Sequence, residues 1–173
     1  FNRERLNAFR IDAGSSRTFF ERLRRRPARF ALGYPSALTS FAREVRAVGL
    51  DGRTLGWRAI LTTAEILHDH QREILRETFG ARVADTYGCA EVGLAGVECE
   101  EGRLHVPIEG VAVYFQEGED GREVLLTDLA NRNQPVIRYQ VGDLAGPVHP
   151  ATPCPCGRAL PLLGPITGRA GDV

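Results

Sequence analysis

The chain has 173 residues, enough for one domain or a large part of one. Its 22 basic and 22 acidic residues cancel, so no general attraction to nucleic acid or a membrane surface is expected, and no apolar run approaches the ~20 residues of a membrane span. Every basic residue is arginine, there is no methionine and no secretory signal, so the composition reads as a piece of a longer, arginine-rich cytoplasmic protein.

Residues 1–14 show no period. Ser15 or Ser16 is placed to cap a helix reaching Arg25, with Phe19, Phe20 and Leu23 on its apolar face and Pro27 beyond its end. Residues 30–32 read as a short strand closed by Gly33-Tyr34-Pro35. A helix pattern follows from Ser36 through Leu38, Phe41, Ala42, Val45 and Val48, with Gly49 as its stop. Residues 57–61 are the next strand. Thr62 and Glu65 have capping-box spacing, ahead of a helix that carries Leu67, Ile74, Leu75 and Thr78 up to Gly80. His68 and His70, two apart on that helix, are expected on different sides of it. The apolar residues 81–84 then read as a buried strand, and residues 85–91 as the loop after it.

This alternation predicts an α/β fold, a parallel sheet with crossover helices over about residues 15–90. After Glu91 the texture changes to short β-rich runs at 104–108, 111–115, 124–127 and 136–139, separated by turn signals. The expected organisation is therefore an α/β nucleotide-binding portion, 1–90, and a β-rich portion, 91–173.

The loop Asp85-Thr-Tyr-Gly-Cys-Ala-Glu91 sets an aromatic ring and a carboxylate four positions apart. A ring can stack on a base, and a carboxylate can hold magnesium beside phosphates. Four further features accompany it: Thr62-Thr63-Ala64-Glu65 at a strand-to-helix turn before it, and after it Val124-Leu125-Leu126-Thr127-Asp128, a strand ending in polar groups, Ile137-Arg138-Tyr139-Gln140-Val141-Gly142-Asp143, and Gly168-Arg169-Ala170-Gly171-Asp172. Taken singly they have plain structural readings: a surface loop with a core tyrosine, a turn acid at Asp143, an ion-pairing Arg138 and a surface arginine at Arg169.

Taken together, residues 30–173 or so resemble the adenylate-forming (acyl-activating) superfamily, specifically its phenylacetate–coenzyme A ligase branch. There a Tyr-Gly-x-x-Glu loop, an Arg-Tyr-x-x-Gly-Asp segment and a Gly-Arg-x-x-Asp hinge occur in this order. The resemblance implies a part of the large N-terminal domain of such an enzyme. It puts Tyr87 on adenine, with Asp85, Gly88, Ala64 and Glu65 around the adenine edge. Glu91 would be the catalytic carboxylate that holds the magnesium of the nucleotide. Asp143 would accept the ribose hydroxyls, which require an acceptor. Arg169 would reach the ribose or phosphate, and Asp172 would be the interdomain hinge. The implied cofactors are ATP or AMP and magnesium, with coenzyme A as co-substrate. The family's phosphate-gripping loop and catalytic lysine would lie outside these residues, so the chain by itself is expected to be inactive.

Four cysteines remain, Cys89, Cys99, Cys154 and Cys156. With nothing that suggests export, free thiols or a metal site are favoured over disulfides. Cys99, His105, Cys154 and Cys156 would make a complete, soft, tetrahedral set for zinc, closed to substrate and so structural. The plainer alternative is a buried Cys99, a strand histidine and an exposed Cys-Pro-Cys turn. Some members of the resembled branch carry such a cysteine/histidine site, which favours the metal.

The function implied is ATP-dependent activation of an aromatic or aryl-acetic acid to an acyl-adenylate and transfer to coenzyme A. The expected partners are a small carboxylic acid and a nucleotide, with a homodimer as the candidate assembly. The competing reading is a non-catalytic, zinc-stabilised module that binds a nucleotide or a partner.

Overall fold

The computed structural model describes residues 3–147 and 153–171. The hinge candidate Asp172 lies outside the described residues. The chain forms two compact units that divide between Ala84 and Asp85, where the sequence reading divides at residue 90.

In the first unit, helix α1 spans Ala13–Arg25. It starts earlier than the serines suggest, because Asp12 is the cap. The Asp12 carboxylate accepts the Ser15 amide at 2.8 Å, and the Ser15 hydroxyl oxygen accepts the Asp12 amide at 3.0 Å. Strand β1 is Phe30–Gly33 and helix α2 is Pro35–Ala47, with proline at a first-turn position where its missing N–H costs nothing. A short 3-10 turn, Gly52–Leu55, leads to strand β2, Ala59–Thr62. β1 and β2 pair in parallel, Phe30 beside Ala59 and Gly33 beside Thr62.

Helix α3 spans Asp69–Phe79 and begins after His68, not at Thr62. The expected Thr62–Glu65 capping box is absent; the Gln71 side chain instead accepts the His68 amide at 3.0 Å. His68, as the cap residue, has extended backbone, and its ring stacks on that of His70 at 5.7 Å and 12°. This corrects the expectation of opposite sides, which assumed both residues were helical.

An aromatic cluster closes this unit's core. Phe41 meets Phe19 edge-on at 5.4 Å and stacks on Phe79 at 5.8 Å, and Trp57 lies 4.5 Å from Phe79. Each such ring contributes on the order of 2 kcal/mol through burial. Leu75, Ile60 and Val45 fill the rest.

Strand β3, Arg82–Cys89, carries the chain into the second unit. Residues 85–89 are therefore strand and not loop. There β3 pairs antiparallel with β4 (Gly93–Glu98), β4 with β5 (Leu104–His105), and β5 with β9 (Leu162–Leu163). A second antiparallel sheet has the order β10-β8-β7-β6, from β6 (Val111–Gly118), β7 (Gly121–Asp128), β8 (Tyr139–Ala145) and β10 (Ile166–Arg169). Antiparallel pairing in this half agrees with the β-rich reading. The strand expected at 136–139 instead begins at Tyr139 and runs through Asp143. Ala95, Val106, Val111, Val124, Leu126, Ala145 and Leu163 form the core of this unit.

Candidate active site

Two strands of the second unit bring the candidate residues together. Tyr87 lies in β3 and Glu91 two residues past its end; Tyr139 opens β8 and Asp143 lies inside it. Each segment thus offers a tyrosine and, four positions later, a carboxylate, and the segments meet in opposite directions. The Tyr87 hydroxyl donates to Asp143 Oδ2 at 3.0 Å. The Tyr139 hydroxyl donates to Glu91 Oε1 at 3.0 Å. Each acid is held by the phenol of the other segment.

Gly88 has a backbone reason to be glycine. It sits where the β3–β4 register shifts, and a Cβ there would stand 2.1 Å from the Gly93 carbonyl oxygen. The Asp85 amide, on the same strand, donates to Glu98 Oε2 at 2.6 Å. Gly142, one before Asp143, has φ +83° and faces the Arg169 guanidinium. Arg169 Nη2 donates to the Val141 carbonyl at 3.0 Å, and its Nε stands 3.6 Å from Asp143 Oδ1. The arginine is mostly exposed, so the pair orients more than it stabilises.

The protonation states follow from these contacts. Burial, then the Asp143 charge, pushes the Tyr87 phenol far above its ordinary value, so it stays a donor. The Glu91 carboxyl is held below its usual range, chiefly by its own backbone amide, then by the Tyr139 hydroxyl and the Cys89 thiol. Tyr139 is raised in return, with the Glu91 contact as the main cause. Burial, first of all, holds the Cys89 thiol protonated. At neutral pH Glu91 is therefore ionised, and the two phenols and the Cys89 thiol are neutral donors.

In the first unit, Ala64 has φ +65°, a left-handed conformation that costs a residue with a Cβ on the order of 1 kcal/mol. Glu65 accepts from the Ser36 amide at 3.0 Å and from its hydroxyl at 2.9 Å. The turn after β2 is thus braced on the start of α2.

Cys99, His105, Cys154 and Cys156 converge, with their ligand atoms all within 4.8 Å of one another. Cys99 Sγ lies 3.7 Å from Cys154 Sγ, and Cys156 Sγ lies 3.3 Å from His105 Nε2. A zinc tetrahedron with its ordinary bond lengths has edges of about 3.8 Å between sulfurs and about 3.6 Å between sulfur and nitrogen. The spacing fits. His105 Nδ1 lies 3.1 Å from the Leu160 carbonyl, which can only accept. A Nδ1 proton given to that carbonyl is the usual outer contact of a metal-bound histidine, and Nε2 is the nitrogen on the side of Cys156. Burial raises Cys154 and also opposes ionisation of Cys156; hydrogen bonds from the Arg158 backbone and side chain overcome it and bring Cys156 down to about 6. Such a set favours a soft divalent ion.

No family model matches the chain. It is 30% identical over 152 residues to phenylacetate–coenzyme A ligase of Thermus thermophilus, covering 80% of this chain and 34% of that protein. It is 28% identical over 133 residues to indoleacetate–lysine synthetase of Pseudomonas savastanoi, covering 75% of this chain and 32% of that protein. The fold agrees. A 2-hydroxyisobutyryl-CoA ligase with a bound acyl-AMP superposes with a TM-score of 0.77 at 23% identity, over 90% of this chain and 36% of that one. A benzoate CoA ligase of Burkholderia xenovorans gives 0.60 at 18%, over 89% and 34%. In sequence and in fold the chain is similar to adenylate-forming acid ligases. It spans about a third of the length of the curated relatives it matches.

The residue that the sequence reading missed is Tyr139. The signal was present: Tyr87/Glu91 and Tyr139/Asp143 repeat one spacing. Only the opposite directions of the two segments turn the repeat into a reciprocal pair. Cys89, whose thiol touches the Glu91 carboxylate, was also passed over.

Proposed function

We propose that the protein containing this chain activates a carboxylic acid with ATP and transfers the acyl group to coenzyme A. The observation that carries this reading is the gathering of Tyr87, Glu91, Asp143 and Arg169 by two short antiparallel contacts. The similarity to acid–CoA ligases supports it. The names of the relatives, with phenylacetate, indoleacetate and benzoate among them, favour an aryl or aryl-acetic acid.

In the first half-reaction a carboxylate oxygen of the acid attacks the α-phosphorus of ATP, and the bond to the bridging oxygen breaks as pyrophosphate leaves. The acid needs no base because it is already ionised. In the second, the thiol adds to the acyl carbonyl and AMP leaves. This chain's residues position the reactants and balance charge. The Tyr87 ring stacks on adenine while its hydroxyl stays on Asp143. Asp143 Oδ1, turned toward Arg169, accepts a ribose hydroxyl, and Arg169 serves the ribose or phosphate side. Glu91 holds magnesium, which would neutralise the phosphates. Asp85 and Gly88 shape the backbone at the base edge. The cluster of Cys99, His105, Cys154 and Cys156 holds a structural zinc. An amine acceptor is the second reading, motivated by the similarity to indoleacetate–lysine synthetase.

The test is acid-dependent ATP–pyrophosphate exchange on the full-length protein, with aryl, aryl-acetic and fatty acids. Exchange with one class, lost in Glu91→Ala and Asp143→Ala, is expected. A folded, metal-loaded protein that exchanges with no acid would instead be a binding module.

A further inference from the structure

Glu91 is an exposed side chain at the end of a strand, and such a glutamate ordinarily samples many rotamers. Here its carboxylate is caught on one oxygen by the Tyr139 hydroxyl, while the Cys89 thiol provides a second contact. Tyr139 is itself aimed by its neighbour. Arg138 has φ +50°, which is rare and strained for a residue with a side chain. That backbone is secured twice: the Arg138 amide donates to Thr127 Oγ1 at 2.9 Å, and its guanidinium lies 5.4 Å over the Tyr114 ring. The start of β8 thus spends backbone strain on the direction of one phenol. The partner contact, Tyr87 to Asp143, fixes the other end of the same segment.

We propose that Tyr139 is a positioning residue for Glu91, fixing one oxygen so that the other is presented to the divalent cation of the nucleotide. This rests on the adenylate-forming reading above and adds a residue to it. A phenol suits the task because it donates without adding charge: an arginine or lysine there would neutralise the acid that the cation needs. It also engages a single carboxylate oxygen, Oε1.

The experiment compares the full-length wild type with Tyr139→Phe, Glu91→Gln and the double variant, by calorimetric titration of ATP at stepped magnesium concentrations. Acid-dependent exchange is read in parallel. Tyr139→Phe is expected to raise the magnesium needed for half-saturation about fivefold, with less than a twofold loss of exchange rate once magnesium saturates. On the Glu91→Gln background the same change should add nothing, since the acid it serves is gone. Arg138→Gly, which relaxes the strained backbone, should shift the magnesium requirement in the same direction by a smaller factor. It also carries the test if the phenylalanine variant misfolds.

An unchanged magnesium requirement in a folded Tyr139→Phe protein overturns the proposal, as does a rate loss at every magnesium concentration. Full additivity with Glu91→Gln does so too. A wild type that neither exchanges nor binds ATP in a magnesium-dependent way overturns the enzyme reading together with it.

Discussion

Replacing Tyr87 by phenylalanine removes one oxygen and leaves the ring. The lost interaction is a hydrogen bond of 3.0 Å to an acid that keeps Arg169 nearby, at 3.6 Å. Hydrogen bonds to charged partners are worth about 1.5–3 kcal/mol. The Asp143 side chain retains 17% of its exposure, so water recovers part of the loss. The expected destabilisation is about 1.5 kcal/mol at neutral pH, near tenfold in the folding equilibrium. Urea denaturation should show a lower midpoint with an unchanged slope. Alkaline pH supplies a second reading. Burial, then the Asp143 charge, raises the folded phenol's pKa, so below about pH 10 the phenol is neutral in both states and its stabilisation is complete. Above that, the unfolded chain releases the proton and the folded chain does not, so stability falls by up to about 1.4 kcal/mol per pH unit. Tyr87→Phe should lose this steep alkaline branch. A variant as stable as wild type at pH 7, or one with the same alkaline slope, would refute the reasoning.

Two further outcomes are expected. Gly88→Ala puts a methyl 2.1 Å from the Gly93 carbonyl oxygen, a backbone atom that cannot step aside, and should cost on the order of 3 kcal/mol in chemical denaturation; a near-neutral effect would mean that β3 and β4 part easily. The chain should purify with one zinc, accept cobalt with the strong visible bands of a tetrahedral thiolate site, and melt at lower temperature after chelation or in Cys154→Ser. A folded, metal-free chain indifferent to chelator would leave only a thiol cluster.

The helices and strands of the first unit were legible because local rules act there. Phe41, Ala42 and Val45 keep helical spacing, and Gly80 ends α3 with φ +64°. Where the reading slipped, a local rule had a competitor. Thr62 and Glu65 match a capping box, but Glu65 is committed to Ser36, and the helix waits for His68. Asp12 caps α1 in place of the serines because its carboxylate reaches the Ser15 amide. β4 was invisible, since Gly93, Leu94, Ala95 and Gly96 show neither alternation nor β-branching; its pairing with β3 is what makes it a strand. The cysteine–histidine set was readable from its residue types together with the family resemblance, and the four side chains do converge. The exchange of acids between Tyr87 and Tyr139 was not, because separation in sequence does not tell direction in space.

The converging cysteines and histidine also alter the route along the chain. Tyr87 and Asp143 stand 56 positions apart, and Cys99 and Cys154 stand 55 apart. With Cys99 clasped to Cys154, the path from Tyr87 to Asp143 runs to Cys99, crosses, and returns from Cys154, less than half the original length. Loop closure scales with the logarithm of path length, so the shortcut lowers the entropy cost of bringing the pair together by about 0.8 kcal/mol. A clasp that touches neither Tyr87 nor Asp143 would in this way hold their two strands near each other even when the intervening strands loosen.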